Sequence, residues 1–546
     1  MNTPPLAFQP PLTSRWGPLP WSLLSLALLA VASLALRPAI PVDETRYLAG
    51  AWELWLRGDF LVPYLNGEPY SHKPPLLFWL FHLGWTLFGV NDWWPRLVAP
   101  LAGAVSLLLT VRIGELLWPQ QRSWLGLAAP WLLGCGYWAA LNTAVMFDLL
   151  LVAFTLGGVL CLVREWRGLG RRNWVWGALC LGGGALVKGP MFFLILAWPV
   201  LLAPWWMEQA PRGGWARWYG AGLLAALAGG LIALAWAIPA AWQGGPEYAQ
   251  DIFWGQTAGR ALESFSHRRP VWWYLPWIPL ILLPWTLWTP AWASLKALSL
   301  EPGTLLGLTW LLPPLLVLSL VSGKQVAYLL PLVPALALLV ARGLSERDPA
   351  QPLSRPWAPA GLLLAVGALM AAASASGSLA GNVPGIEQVP SWPGLMVMGA
   401  GLALGLLGGG PAGRQTGAIA AGTLVLLLAL HLALPPVLES YDVRPMAGYL
   451  AKVQAQGRPL AHVGKYRGQY HFAGRLTEPL EVLTTQQLAG WAAGHPEHRV
   501  LVYTLDAGPD QRLPAAEFVQ DYRVRQVSLW RAGDLLERPD VLSRLR

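Results

Sequence analysis

Thirteen stretches of this chain are apolar over the length a helix needs to cross a lipid bilayer, and no other feature limits the fold so strongly. They are residues 20–38, 97–118, 123–141, 146–163, 173–188, 190–206, 218–240, 271–293, 304–321, 326–341, 357–380, 392–409 and 416–436. A span takes roughly 17–25 apolar residues, and without water to satisfy its backbone it must be helical. Soluble domains carry about 25% charged residues, whereas this chain is 12% charged and 55% hydrophobic. It reads as an α-helical polytopic membrane protein. The 34 Trp residues suit belts at two membrane interfaces.

One further stretch, 74–90, is ambiguous, being short, opening on Pro74-Pro75 and carrying His82. Loop charge decides it. With 74–90 on the surface and the N-terminus cytoplasmic, the inner loops hold Arg112, Arg122, Arg164, Arg167, Arg171, Arg172, Arg212, Arg217, Lys296, Arg342, Arg347, Arg355 and Arg414. The later outer loops hold only Lys188, Arg260, Arg268, Arg269 and Lys324. That split obeys the positive-inside rule, and a spanning 74–90 would reverse it throughout. The prediction is about thirteen transmembrane helices in a domain of residues 1–440. Residues 42–96 then form one long outer loop with two surface helices. Residues 241–270 form a second outer loop with a short helix around 246–259, and the two loops roof a site. The first span is followed by no convincing small-residue cleavage site and reads as uncleaved.

After Pro435-Pro436 the hydropathy collapses. Residues 441–546 read as a small soluble α/β domain on the outer, periplasmic side. Its expected elements are a helix near 444–455, strands near 459–463, 499–504 and 525–530, and a helix over 484–492.

Several function classes drop out. The net charge of +9 sits in loops that set topology, so it does not indicate nucleic acid. Cys135, Cys161 and Cys180 all lie in apolar runs and offer neither a disulfide framework nor zinc spacing. No P-loop, dinucleotide fingerprint, nucleophile elbow or HExxH motif occurs. No internal repeat is visible, and the charges gather at one face, which disfavours a transporter or lipid flippase.

The residues that carry chemistry cluster in the first outer loop. Asp43 and Glu44 follow the first span, where an acid serves either as a helix N-cap or as part of a site. Asp148, flanked by apolar residues at an outer span end, is costly there unless paired or functional. His72-Lys73-Pro74-Pro75 sets an imidazole and an ammonium on a rigid corner. Lys188-Gly189-Pro190 and Ser322-Gly323-Lys324 repeat the pattern of a cation on a glycine turn. Tyr328 lies one helical turn beyond Lys324. Cations gathered at one face suit a phosphate ligand.

At these residues the chain resembles bacterial polyprenyl-phosphate-dependent glycosyltransferases of the aminoarabinose (lipid A) transferase and protein O-mannosyltransferase superfamily. The matching stretches are Asp43-Glu44-Thr45-Arg46-Tyr47, Gly58-Asp59 with Pro63, Lys73-Pro74, Leu87-Phe88-Gly89 with Arg96, Asp148 and Lys188-Gly189. Arg260 with His267-Arg268, Pro270-Val271-Trp272-Trp273-Tyr274, and Lys324 with Tyr328 and Pro331 continue the series. The resemblance implies the C-type glycosyltransferase fold and transfer of a sugar from a polyprenyl-phosphate carrier at the periplasmic face of the bacterial cytoplasmic (inner) membrane. It implies Asp43 as catalytic acid/base or orienting carboxylate, with Asp148 in the same cavity. Lys73, Arg260, Lys324 and Tyr328 would hold the donor phosphate. Glu44, Arg46, His72, Arg96, Lys188, His267 and Arg268 would complete the cavity. His72 stands where the aminoarabinose enzymes typically carry Glu. His72 and His267 are the candidate ligands for a divalent cation, the one candidate cofactor. The implied partners are the lipid-linked sugar donor, membrane lipids and a lipid or protein acceptor, with no nucleic acid.

Overall fold

The computed structural model describes residues 18–258, 269–347, 352–373, 383–505 and 516–545. Among them, seven helices are long and apolar enough to cross a membrane: Pro18–Leu36, Trp93–Leu117, Asp148–Trp166, Gly214–Gly255, Pro302–Leu320, Val326–Ser345 and Ala412–Ala433. The chain is a multi-pass membrane protein. Shorter apolar helices occur at Met191–Leu201, Val271–Ile281, Trp357–Ala373 and Trp392–Leu407, with Asn173–Lys188 beside them.

The stretch expected as a span over 123–141 is broken instead into helices Arg122–Leu125, Ala128–Gly134 and Gly136–Leu141. Cys135 is extended between the last two. The backbone freed by that break bonds sideways: Gly136 N–H donates to Leu283 O at 2.9 Å and Cys135 Sγ to Ile281 O at 2.7 Å. Such a break is tolerated because it is buried in protein, away from lipid. The partner stretch is also interrupted, as Tyr274–Ile281 and Thr289–Lys296.

Residues 241–258 are helical throughout, where a loop carrying a short helix around 246–259 was expected. The helix Gly214–Gln250 runs through them with a kink at Gly245, where φ is +86°, and a helical stretch Asp251–Ala258 continues it. Only glycine takes that backbone angle at no steric cost. The Trp residues are not all interfacial either. Trp85, Trp131, Trp138, Trp206, Trp285, Trp288 and Trp310 are fully buried, with Trp131 stacked on Trp285 at 5.4 Å.

Both expected surface helices are present in the first loop, as Asp43–Arg57 and Leu76–Phe88. The second has 13 residues, well short of the roughly 20 a span needs. Its His82 is buried and bonds Ala51 O at 2.7 Å, pinning the two helices together. Between them lies a hairpin, Tyr64–Leu65 with Glu68–Pro69. It turns on Asn66-Gly67, both at positive φ, the pairing such a turn prefers.

The C-terminal residues build a five-stranded sheet ordered Glu481–Leu483, Leu460–Val463, Arg499–Leu505, Arg525–Arg531, Phe518–Tyr522. The first two pairings are parallel and the last two antiparallel. Helices Arg444–Ala455 and Thr485–Gly494 flank it. Strands 481–483 and 518–522 were not expected from the sequence, and the expected helices and three other strands occur within a residue or two.

Candidate active site

The chain leaves its first helix through Pro38 and Pro41 and re-enters helix at Asp43. Two acids in the first turn complement the helix dipole, and Gly58, at φ +63°, ends the helix. Val42 occupies the cap position with no side-chain cap bond, so capping is not what the Asp43 carboxylate does. Its side chain is 56% exposed and pairs with Arg46 one turn on. The Arg46 guanidinium lies 5.4 Å from the Tyr47 ring centroid.

Lys73 approaches the same ring from the other end of the loop. Its Nζ is 5.8 Å from the centroid of Tyr47 and 5.2 Å from that of Phe147. Those two rings meet edge to face at 4.9 Å. Phe147 directly precedes Asp148, so the Pro-fixed corner and the acid at the start of the 148–166 helix meet across an aromatic wall.

Asp148 is buried and ion-paired with Lys188 at 2.5 Å, with side chains only 4% and 12% exposed. A lone carboxylate so removed from water would be expensive, and the pair satisfies it. Lys188 Nζ also sits 4.5 Å from the Tyr328 ring centroid. Two sets of contacts, Asp43, Arg46 and Lys73 around Tyr47 and Phe147, and Asp148, Lys188 and Tyr328, adjoin at the Phe147-Asp148 peptide.

Lys324 is placed differently. It is buried, and its ammonium donates to Arg269 O at 3.0 Å and Val321 O at 2.5 Å. Arg269 N–H in turn donates to Ser322 O at 3.1 Å. Lys324 thus clasps two backbone segments together, with two of its three N–H groups engaged by described residues. His72 faces the Tyr70 ring at 5.3 Å, and its neighbour Ser71 bonds Asp251 at 2.8 Å. Arg260, His267 and Arg268 lie outside the described residues. Among the described residues no three His, Cys, Asp or Glu side chains gather to hold a metal ion.

Glu44 and Arg96 bond partners outside these contact sets. Glu44 accepts two bonds from Arg37 at 2.9 Å, and Arg37 also reaches Thr143 O at 2.5 Å. Arg96 donates to Ser33 O at 2.5 Å, near the C-terminal end of the first helix. These two are scaffold beneath the site. Arg37 was missed by sequence reasoning; an arginine at a span end looks like any interfacial cation.

The C-terminal sheet unit grips the back of the same loop. Trp52 Nε1 donates to Leu476 O at 2.8 Å. Asn66 exchanges two bonds with the Leu480 backbone, at 2.9 and 2.8 Å. Arg523 donates to Pro41 O at 2.6 Å. Glu53, also missed from sequence, accepts the N–H groups of Asn66 and Gly67 at 2.5 and 2.9 Å. Burial pushes its carboxyl pKa up, and those two N–H bonds pull it back. Its neighbour His471 stands 4.0 Å away, and burial pushes that imidazole down to about 4. At neutral pH the contact is therefore not an ion pair.

Comparison with known proteins bears out the superfamily resemblance. The Dolichyl-phosphate-mannose-protein mannosyltransferase family model matches residues 72–240. An undecaprenyl phosphate-alpha-4-amino-4-deoxy-L-arabinose arabinosyl transferase of Pseudomonas aeruginosa is 33% identical over 318 residues, 56% of this chain and 55% of that protein. A transferase of the same name from Sodalis glossinidius is 32% identical over 307 residues, 55% of this chain and 54% of its own. The chain spans about half the length of the curated relatives it matches. The crystal structure of ArnT from Cupriavidus metallidurans bound to undecaprenyl phosphate superposes with a TM-score of 0.69, covering 93% of this chain and 98% of that one at 19% identity. The chain is therefore similar in sequence to undecaprenyl-phosphate aminoarabinose transferases over half its length, and it shares the fold of one of them over nearly all of it.

Proposed function

We propose that the chain is an integral-membrane glycosyltransferase that moves a sugar, 4-amino-4-deoxy-L-arabinose by analogy with its relatives, from undecaprenyl phosphate to lipid A. The observation that carries this reading is the pair of adjoining contact sets, Asp43 with Lys73 and Asp148 with Lys188 and Tyr328, which meet at Phe147-Asp148. In the transfer, the bond from the anomeric carbon to the carrier phosphate breaks as the acceptor oxygen bonds that carbon. Negative charge develops on the leaving phosphate oxygens. Fixed cations already in place stabilise that charge without reorganisation, and Lys73 and Lys188 are the described residues suited to it, with the Tyr328 hydroxyl beside them. Lys324 and Arg260 are proposed for the same ligand from the sequence. Asp148 holds Lys188 in place. Asp43, the more exposed carboxylate, takes the acceptor proton or, for a phosphate acceptor that has none to give, orients it.

The proposal includes thirteen spans, a cytoplasmic N-terminus and a periplasmic site in the bacterial inner membrane. Contact of the 441–546 unit with the 42–96 loop supports it, because both must then lie on one side. Twelve spans between them satisfy that parity. A reporter fused after residue 440 tests the side. A divalent cation at His72 and His267 is a separate proposal, tested by transfer before and after chelation and metal readdition.

Mass spectrometry of lipid A from cells with and without the protein tests the function: a sugar adduct present only with the protein is expected, and identical lipid A would sink the reading. The family model over 72–240 favours a second reading, a protein O-glycosyltransferase using the same carrier. Glycoproteins lost with the protein, against unchanged lipid A, would select it.

A further inference from the structure

The far end of the Asp148–Trp166 helix carries a second cationic site that sugar transfer does not use. A cleft of about 470 Å³ opens between this helix and Asn173–Lys188, lined by Arg164, Arg171, Arg172, Asn173 and Trp176 with Leu160 at its apolar wall. The helix has 19 residues, so at about 1.5 Å per residue the cleft lies roughly a bilayer core away from Asp148.

The connection that forms the cleft is tightly organised. Asn173 is buried and its amide donates to Leu169 O at 2.9 Å and Glu165 Oε2 at 3.0 Å. Gly168 and Gly170 turn the chain at positive φ. Arg167 caps the 93–117 helix, donating to Leu116 O and Leu117 O at 3.0 and 2.8 Å. By contrast, no carboxylate among the described residues lies within ion-pair distance of Arg164, Arg171 or Arg172. Glu165, next to Arg164 in the chain, is engaged by Asn173.

Three arginines around one cleft, with no carboxylate partner among the described residues, suit an anion from elsewhere. The rim says which kind. Val175, Trp176 and Leu179 are exposed at the start of the Asn173–Lys188 helix, and an exposed indole at the end of an apolar helix suits a headgroup interface. A soluble anion gains nothing from such a rim, whereas a phosphodiester that carries acyl chains does. We propose that this cleft binds the phosphate of an anionic glycerophospholipid in the leaflet opposite the sugar-transfer site. Guanidinium forks match phosphate oxygens bidentately, and basic clefts between spans are a recurring headgroup site.

The test is native mass spectrometry of the full chain released from detergent, with phosphatidylglycerol, phosphatidylcholine or inorganic phosphate added. The variants are Arg164→Gln/Arg171→Gln/Arg172→Gln and a control of equal charge loss, Arg112→Gln/Arg122→Gln/Arg414→Gln. Retention of phosphatidylglycerol roughly ten- to a hundred-fold above phosphatidylcholine is expected, lost in the first variant and kept in the control. Arg171→Gln/Arg172→Gln, confined to the connection, should lose most of it if the triple variant does not fold. Equal loss in test and control would mean diffuse positive charge and overturn the proposal. Full displacement by millimolar inorganic phosphate would make it a soluble-anion site and also overturn it. Neither outcome bears on sugar transfer.

Discussion

The Arg37 guanidinium lies fork to fork with the Glu44 carboxylate, both bonds at 2.9 Å, and its second nitrogen reaches the Thr143 carbonyl. Glu44 adjoins Asp43, and Thr143 lies five residues before Asp148, across a non-helical stretch. One arginine therefore ties together the two segments that carry Asp43 and Asp148.

Removing one partner of such a buried pair leaves the other uncompensated, at a cost of about 3–5 kcal/mol. Glu44→Gln should therefore lower the thermal unfolding temperature markedly. Arg37→Lys keeps the charge but loses the fork. It should fold, bind the carrier lipid as before and transfer sugar at least about ten-fold more slowly. Donor affinity and turnover measured side by side check this. Unchanged turnover would leave Arg37 a purely structural residue.

Asp148 and Lys188 form the second linked pair. Asp148→Asn should destabilise the protein by a few kcal/mol and impair transfer. Adding Lys188→Met should restore much of the stability, because no charge is then left unpaired, but not the transfer. A double-mutant cycle read by both melting and activity separates the two effects. Recovered activity in the double variant would remove Lys188 from the donor site.

Lys73 and Tyr328 should matter for donor affinity, whereas Arg57 should not. The Arg57 guanidinium stacks on Tyr64 at 3.9 Å, away from the cluster. A hydrogen bond to a charged group contributes about 1.5–3 kcal/mol. Lys73→Ala should therefore weaken undecaprenyl-phosphate binding roughly ten- to a hundred-fold, and Tyr328→Phe somewhat less. Equal small losses in Lys73→Ala and Arg57→Ala would indicate diffuse electrostatics and no phosphate site.

The C-terminal unit should loosen in acid. Burial holds His462 and His471 down to about 4, so both are neutral in the folded state. Their stabilising effect is complete above the ordinary histidine value near 6.5. It is lost as pH falls towards 4, by on the order of 3 kcal/mol per group. Proteolysis of this unit should accelerate over that window, and less so in His471→Gln. A rate flat from pH 7 to 4 would contradict the buried neutral assignment.

The parts of the site legible in sequence were charges that composition made conspicuous. Asp148 and Lys188 stand out because an apolar span does not carry an acid or a base without reason, and Lys73 because two prolines fix its corner. Glu44 was equally conspicuous yet faces the scaffold, since adjacent positions on a helix point about 100° apart. Glu53 escaped notice because its partners are backbone N–H groups, and Arg37 because an arginine at a span end looks like any interfacial cation. The break at Cys135 was invisible for another reason: hydropathy continues unchanged through it, and only the sideways bond to Leu283 reveals it. The strands at 481–483 and 518–522 are short and lack the alternation that marks longer ones.

The exchange between Asn66 and Leu480 joins positions 414 residues apart. A ribosome adding about 5–20 residues per second needs roughly 20–80 s to make the intervening chain. Throughout that interval the loop bearing Asp43 and Lys73 has been made and its clamp has not. Newly made chains therefore complete this corner late, and a nascent chain stalled before residue 480 would carry Asp43 and Lys73 without the Asn66 clamp.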